Sequence, residues 1–158
     1  MDKGKARQAF DKYDLDGSKK ITKSEFGKFC TDHYNITKEQ RTPLMKKLIN
    51  GMFEVADGNG AFNMNDGQLN FDEFYKIVSL IPEGAEDLPK TFAHVIFNLV
   101  DKDQSGTICY KELRKFLSNI KMSMTSSGAK SSLKQFDNDG DYVLSFDEFY
   151  QLLCAMEF

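Results

Sequence analysis

The stretch Asp101, Lys102, Asp103, Gln104, Ser105, Gly106, Thr107, Ile108, Cys109, Tyr110, Lys111, Glu112 puts oxygen-bearing side chains at its first, third and fifth positions and a glutamate at its twelfth. A hard divalent cation with an oxygen-only shell needs that spacing. Side chains at positions 1, 3 and 5 point inward, position 7 (here Thr107) offers its carbonyl, and a bidentate carboxylate at position 12 closes the ring. Gly106 at position 6 allows the positive φ of a sharp turn without the cost of a Cβ. Ile108 at position 8 is apolar, where it can pair with a second loop as a short β-bridge. Ligand type, turn residue, apolar anchor and closing carboxylate agree together, so the stretch reads as a Ca²⁺ loop.

The pattern returns in Asp137, Asp139, Asp141, Val143, Leu144 and Glu148, which brings four carboxylates to one ion. Its turn position is Tyr142, where a left-handed residue with a Cβ costs roughly 1–2 kcal/mol. It returns again in Asp14, Asp16, Ser18, Lys20, Ile21 and Glu25. Here Lys19 holds the turn and adds a like charge near the cation, so weaker binding is expected. These loops resemble those of the EF-hand calcium-binding superfamily, and the likeness to calmodulin-like proteins with four EF-hands covers nearly the whole chain.

One further copy is irregular. Gly67, Leu69, Asn70 and Glu73 fit positions 6, 8, 9 and 12, yet counting back lands on Phe62 and Met64 where ligands belong. Phe53 and Ala56 mark the end of the preceding helix, so Asp57 is the natural first ligand, with five extra residues between it and Glu73 relative to an ordinary loop. The longer ring can close with Asp57, Asn59, Asp66, the Gln68 carbonyl and Glu73, in a less rigid shell. A structural loop that supports its partner without metal is the equal alternative. Ca²⁺ is therefore expected at three sites, with the fourth left open.

Helices flank every loop by apolar spacing. Ala9, Phe10 and Tyr13, then Ile49, Met52, Phe53 and Ala56, then Ala93, Ile96, Phe97 and Val100 form inward faces before three of the loops. Exit helices carry Phe26, Phe29 and Cys30; Phe74, Ile77, Val78 and Ile81; Leu113, Phe116, Leu117 and Ile120; and Phe149, Leu152, Leu153 and Met156. The helix before Asp137 is poor, offering Leu133 and Phe136 among serines and lysines. One helix-loop-helix buries little, so the units pair through their loops. The expected fold is all-α, with two lobes that are each a pair of EF-hand units joined by a short β-bridge. The first spans 1–81 and the second 90–158. Between them, Pro82, Gly84 and Pro89 break any continuous helix across 82–89. Smaller linkers are expected from Asn35 to Thr42, where Thr42 and Pro43 read as cap and first helical residue, and from Ser123 to Gly128.

At 158 residues the chain fits two such lobes with little left over, and a net charge of −3 is mild once the loop acids are set aside. That argues against a nucleic-acid partner. No apolar run reaches membrane-spanning length, and Met1, Asp2, Lys3 shows neither a signal peptide's apolar segment nor a glycine for lipidation, so no membrane anchor and a cytoplasmic monomer are expected. Three cysteines, Cys30, Cys109 and Cys154, at unrelated spacings fit a reducing compartment. His33 reads as the edge of an apolar stripe and His94 as solvated. No nucleophile and base, acid pair or open metal site suggests an enzyme.

The choice left is between a sensor and a buffer that stays closed. A sensor would use a groove lined by Phe116, Leu117, Ile120, Met122, Met124, Leu152, Leu153 and Met156 to take an amphipathic helix of a target protein. Pro82 and Pro89 favour the alternative, lobes docked in one body as in proteins similar to sarcoplasmic calcium binders.

Overall fold

The computed structural model describes residues 1–58, 66–122 and 125–156. Asn59 and Met124, named above for the second loop and the groove, lie outside the described residues. Each loop runs between an incoming and an exit helix: α1 (Lys3–Tyr13) and α2 (Lys23–His33), α3 (Pro43–Asp57) and α4 (Phe71–Ser79), α5 (Leu88–Val100) and α6 (Tyr110–Asn119), α7 (Ser126–Phe136) and α8 (Phe146–Ala155). Loops 1 and 2 join through β1 (Ile21–Thr22) and β2 (Gln68–Leu69), antiparallel with Ile21 opposite Leu69. Loops 3 and 4 join through the bridge of Ile108 with Leu144, whose amides and carbonyls exchange bonds at 2.8 and 2.9 Å. The apolar residue at position 8 makes this pairing in every loop, as its spacing predicts.

Local signals set the helix starts. Thr42 Oγ1 accepts the Met45 amide at 3.1 Å, with Pro43 in the first turn where its missing N–H is no loss. Asp87 caps α5 in the same way through the Lys90 amide at 3.0 Å. Leu88 and Pro89, which the sequence assigns to the linker, therefore belong to the first turn of α5. Likewise Thr125 caps α7 through the Gly128 amide at 3.1 Å, so Ser126 to Gly128 are helical rather than linker. As expected, α7 is thinly packed, burying Ala129 and Leu133.

Each pair has an aromatic centre. Phe10, Phe26, Phe29, Phe53 and Phe74 meet at ring separations of 5.0 to 6.4 Å in the first. Phe149 meets Phe97 at 5.7 Å and Phe116 at 5.3 Å in the second. His33 stacks on Phe29 at the edge of the first core, as its place on the stripe suggests. His94 is exposed, as expected, yet its ring lies flat on Phe146.

The two pairs do not stand apart. The most extensive helix contact among the described residues is α3 against α5, one from each pair. Their inward stripes are spoken for by their own lobes, but α3 also buries Leu48 and Val55, and α5 also buries Phe92, Val95 and Leu99. Such helices, apolar on two faces, must be covered on both. Around this seam Tyr34 at the end of α2 meets Phe92 edge-on at 5.6 Å. Lys47 of α3 donates to the carbonyls of Leu153 and Met156 at the end of α8. Gly58, just past α3, touches the buried Asn119 of α6 so closely that a Cβ there would stand 2.7 Å from the Asn119 side chain.

Gly58→Ala should accordingly destabilise the protein by about 1–3 kcal/mol, the usual range for overpacking. Asn119→Ala in the same chain should recover part of that loss by removing the obstructing side chain. Denaturant unfolding of the single and double variants measures both; equal midpoints for Gly58→Ala and the native chain would show that Asn119 swings aside freely.

Candidate metal centres

In loops 1 (14–25), 3 (101–112) and 4 (137–148) the incoming helix ends at the first loop residue: Asp14, Asp101 and Asp137 are C-caps with ψ of 80°, 88° and 96°. Each of these carboxylates gathers the amides of its own turn. Asp14 accepts Ser18 N at 2.9 Å and Lys19 N at 2.8 Å; Asp101 accepts Ser105 N at 3.0 Å and Gly106 N at 2.9 Å. Asp137 accepts Gly140 N at 2.7 Å and Tyr142 N at 3.0 Å. Turning the position 6 amide inward requires positive φ there, and Lys19 (62°), Gly106 (80°) and Tyr142 (67°) all have it. Tyr142 remains 81% exposed, so its ring adds no packing that could offset the strain.

The closing glutamates are equally constrained. Glu25 accepts Leu15 N and Thr22 N, both at 2.8 Å. Glu112 accepts Lys102 N at 2.9 Å and Cys109 N at 3.0 Å, and Glu148 accepts Asn138 N at 2.7 Å and Ser145 N at 2.8 Å. Positions 2 and 9 of each loop are thus tied to position 12. Carboxylate oxygens of Asp14, Asp16 and Glu25, of Asp101, Asp103 and Glu112, and of Asp137, Asp139 and Asp141 come within 4.8 Å of one another in three separate clusters. Each offers a hard, oxygen-only donor set with more negative charge than its neighbours cancel, which fits Ca²⁺ and not a soft metal.

Position 5 decides how each cluster bears its charge. The polar side chains of Ser18 and Ser105, together with their amides donated to Asp16 Oδ1 at 3.0 Å and Asp103 Oδ1 at 3.1 Å, hold both carboxyls below the usual aspartate range. Loop 4 has Asp141 instead. Its amide bond lowers the Asp139 carboxyl, but burial and the charges of Asp141 and Glu148 outweigh it and push that carboxyl above the ordinary value.

The chain matches the EF-hand domain pair family over residues 3–79 and 90–154. It is an EF-hand protein. It is 28% identical to calmodulin-like protein 2 of Arabidopsis thaliana over 155 residues, covering 97% of this chain and 93% of the relative. It is 27% identical to troponin C, isoform 2A, of Homarus americanus over 152 residues, covering 95% and 93%. Parvalbumin beta of Scomber scombrus shares 32% over 90 residues, covering 55% of this chain and 78% of the relative. The EF-hand family binds Ca²⁺, and the three clusters lie in its loops.

Loop 2 keeps the EF-hand turn and relocates its start. Asp57 does the work of position 1, accepting Asp66 N at 3.2 Å and Gly67 N at 2.9 Å, so Asp66 and Gly67 are positions 5 and 6 and the insertion falls between Asp57 and Asp66. Gly67 has φ of 77°. Asp57 differs from its counterparts in being the last residue of α3 and fully buried, and burial pushes its carboxyl upward. Glu73 accepts only the position 9 amide, Asn70 N at 3.0 Å, among the described residues. Burial, with the charges of Asp57 and Asp66, raises its carboxyl too. The position 7 residue Gln68 donates its amide to Asp66 Oδ1 at 3.1 Å.

Cys109 stands where the other loops have Thr22, Asn70 and Ser145, whose side-chain oxygens accept the amide of the closing glutamate. What spacing does not reveal is the side chain of Lys20: position 7 serves a loop through its carbonyl, yet the Lys20 ammonium reaches Asp66 of loop 2.

Lys19→Gly should tighten loop 1 by relieving about 1 kcal/mol of strain, roughly fivefold in Kd, less the entropy of a looser free loop. Unchanged affinity by calorimetry would mean the backbone there relaxes on binding. Among loops 1, 3 and 4, acid should weaken loop 4 first. A raised Asp139 carboxyl takes up its proton at higher pH than Asp16 or Asp103, so competition with Ca²⁺ begins sooner as pH falls; titrations from pH 7 to 5 with the loops followed separately by NMR should show that order. Glu73→Gln should leave the Ca²⁺ stoichiometry nearly unchanged, whereas loss of one full ion per chain would show that loop 2 fills in the native protein.

Proposed function

We propose that this EF-hand protein is a Ca²⁺ sensor whose second pair opens an apolar groove for an amphipathic helix of a target protein. The observation that carries this reading is the double placement of Glu112 and Glu148. Each closes a Ca²⁺ loop and is also the third residue of an exit helix, bonded to the amide of that helix's N-cap. Bound Ca²⁺ supplies the positive charge on which these carboxylates converge. Any movement of Glu112 or Glu148 toward the loop centre turns α6 or α8 with it, together with Phe116, Leu117, Ile120, Leu152 and Leu153, which are buried in the closed packing. Met122 and Met156 are half-buried at its edge, where flexible thioethers suit a variable partner. Because α7 buries little, the closed state has little to hold it on that side.

The assigned ligands are Asp14, Asp16, Ser18, the Lys20 carbonyl and Glu25; Asp101, Asp103, Ser105, the Thr107 carbonyl and Glu112; and Asp137, Asp139, Asp141, the Val143 carbonyl and Glu148. The pairs 1–81 and 90–158 act as the two units, in a monomer without a nucleic-acid partner, and no helix among the described residues is long and apolar enough to cross a membrane. Three free thiols suit a reducing, cytoplasmic setting. Relatives named calmodulin-like protein and troponin C fit a sensor, since calmodulin and troponin C open their helix pairs on binding Ca²⁺.

A second reading, a compact Ca²⁺ buffer, is favoured by one observation: the α3 and α5 contact already docks the two pairs together. An environment-sensitive dye separates the readings. In a sensor its fluorescence rises with Ca²⁺, falls with chelator, and stays flat in the Glu112→Gln, Glu148→Gln double variant. A fall in dye binding as Ca²⁺ tightens the fold would establish the buffer.

A further inference from the structure

Among the described residues, loop 2 is the loop whose acids are ion-paired with a lysine of a neighbouring loop. Lys20, position 7 of loop 1, extends its ammonium across the β1 and β2 pair to Asp66 Oδ2, position 5 of loop 2. Asp66 is not an isolated surface acid. Its amide is bonded to Asp57, its other carboxylate oxygen takes the Gln68 amide, and its charge acts on both Asp57 and Glu73. The ammonium sits in the field of all three acids assigned to the loop: Asp66 first, then Glu73 and Asp57, raise the Lys20 amine above its ordinary value. In the second pair the position 7 residues are Thr107 and Val143, which carry no charge.

We propose that Lys20 is a tethered counter-cation for loop 2, so that Ca²⁺ enters that loop only by displacing the ammonium from Asp66, and a side chain of loop 1 thereby sets the occupancy of loop 2. This rests on the reading of the loops as Ca²⁺ sites. In a ring with an insertion and a buried first carboxylate, the ammonium offsets repulsion among three carboxylates that in the other loops falls to the metal. It also distinguishes the two loops of the first pair, since loop 1 uses the Lys20 carbonyl and loop 2 its side chain. Both partners are part-exposed, with side-chain exposures of 40% and 39%, which limits the effect to the scale of a surface pair.

Calorimetric Ca²⁺ titration of the whole chain tests this with Lys20→Met, Lys20→Arg and, as a distant control, Lys38→Met. Lys20→Met should tighten the weakest site roughly two- to fivefold, enough to raise the measured stoichiometry toward one further ion. Lys20→Arg and Lys38→Met should behave as the native chain. The gain should vanish when Glu73→Gln is added to Lys20→Met, and persist when Glu25→Gln is added instead. Without Ca²⁺, Lys20→Met should also melt at a lower temperature and show a larger rise on adding the ion; Lys20→Gln serves equally if the methionine variant fails to fold. Uptake by the native chain that Lys20→Met leaves unchanged in affinity and number, or a gain that survives Glu73→Gln, overturns this inference alone. No uptake by either chain overturns it together with the sensor reading.

Discussion

The ninth and twelfth positions of a loop are also the N-cap and third residue of the helix that follows, and this shared spacing is the constraint on which the rest of the molecule depends. One glutamate carboxylate has to close the ring of oxygens and cap the helix at once. Thr22 with Glu25, Asn70 with Glu73 and Ser145 with Glu148 form reciprocal capping boxes, and the Cys109 amide keeps the glutamate half of that arrangement in loop 3. Ring and helix therefore cannot move independently. Bonds from the position 2 amide to Glu25, Glu112 and Glu148 tie the start of each ring to its closing carboxylate. Loop 2 lacks that bond among the described residues because Gly58, its position 2, still donates back into α3.

Seen this way, the loops are variations on how carboxylate repulsion is managed. Loops 1 and 3 use serine at position 5 to stabilise the charge at position 3, which leaves them ordered and electrostatically calm. Loop 4 replaces the serine with Asp141 and accepts repulsion, so a divalent ion has more charge to neutralise there. The strain of Tyr142 at the turn works against that gain, and the two effects are of similar order. Loop 2 brings in Lys20 from its neighbour. These are local choices of a single side chain, made on one shared backbone plan.

Between the pairs the constraint is burial. Glu54 lies in α3 at the edge of the seam, nearly inaccessible, and meets Lys23 of its own pair at 2.7 Å and Lys121 of the other at 4.0 Å. A buried carboxylate without such partners would be costly, so the position of Lys121 beyond α6 is tied to the docking of α3 on α5. The exit helices α6 and α8 are not committed to that main contact. The seam thus rests on α3 and α5, with the ends of α6 and α8 touching α3 at Asn119 and at the Leu153 and Met156 carbonyls.

Sequence by itself determined the loops, because Ca²⁺ coordination is a short-range demand: ligand identity, turn residue and closing glutamate fall within twelve positions, and each leaves a recognisable residue type. It likewise settled the Thr42 cap, the position 8 pairing and the thin α7. It placed Asp57 as the first residue of loop 2, since the helical stripe ends there. The docking of the two pairs was present only as a surplus: Leu48 and Val55 on α3, and Phe92, Val95 and Leu99 on α5, are more apolar residues than one face needs, and spacing cannot say what covers a second face. The reach of Lys20 to Asp66 left no local trace either, because it joins residues 46 positions apart. Such contacts follow from how strands and helices are set against one another, which only the tertiary structure decides, whereas the ion's ring closes within a single stretch of chain.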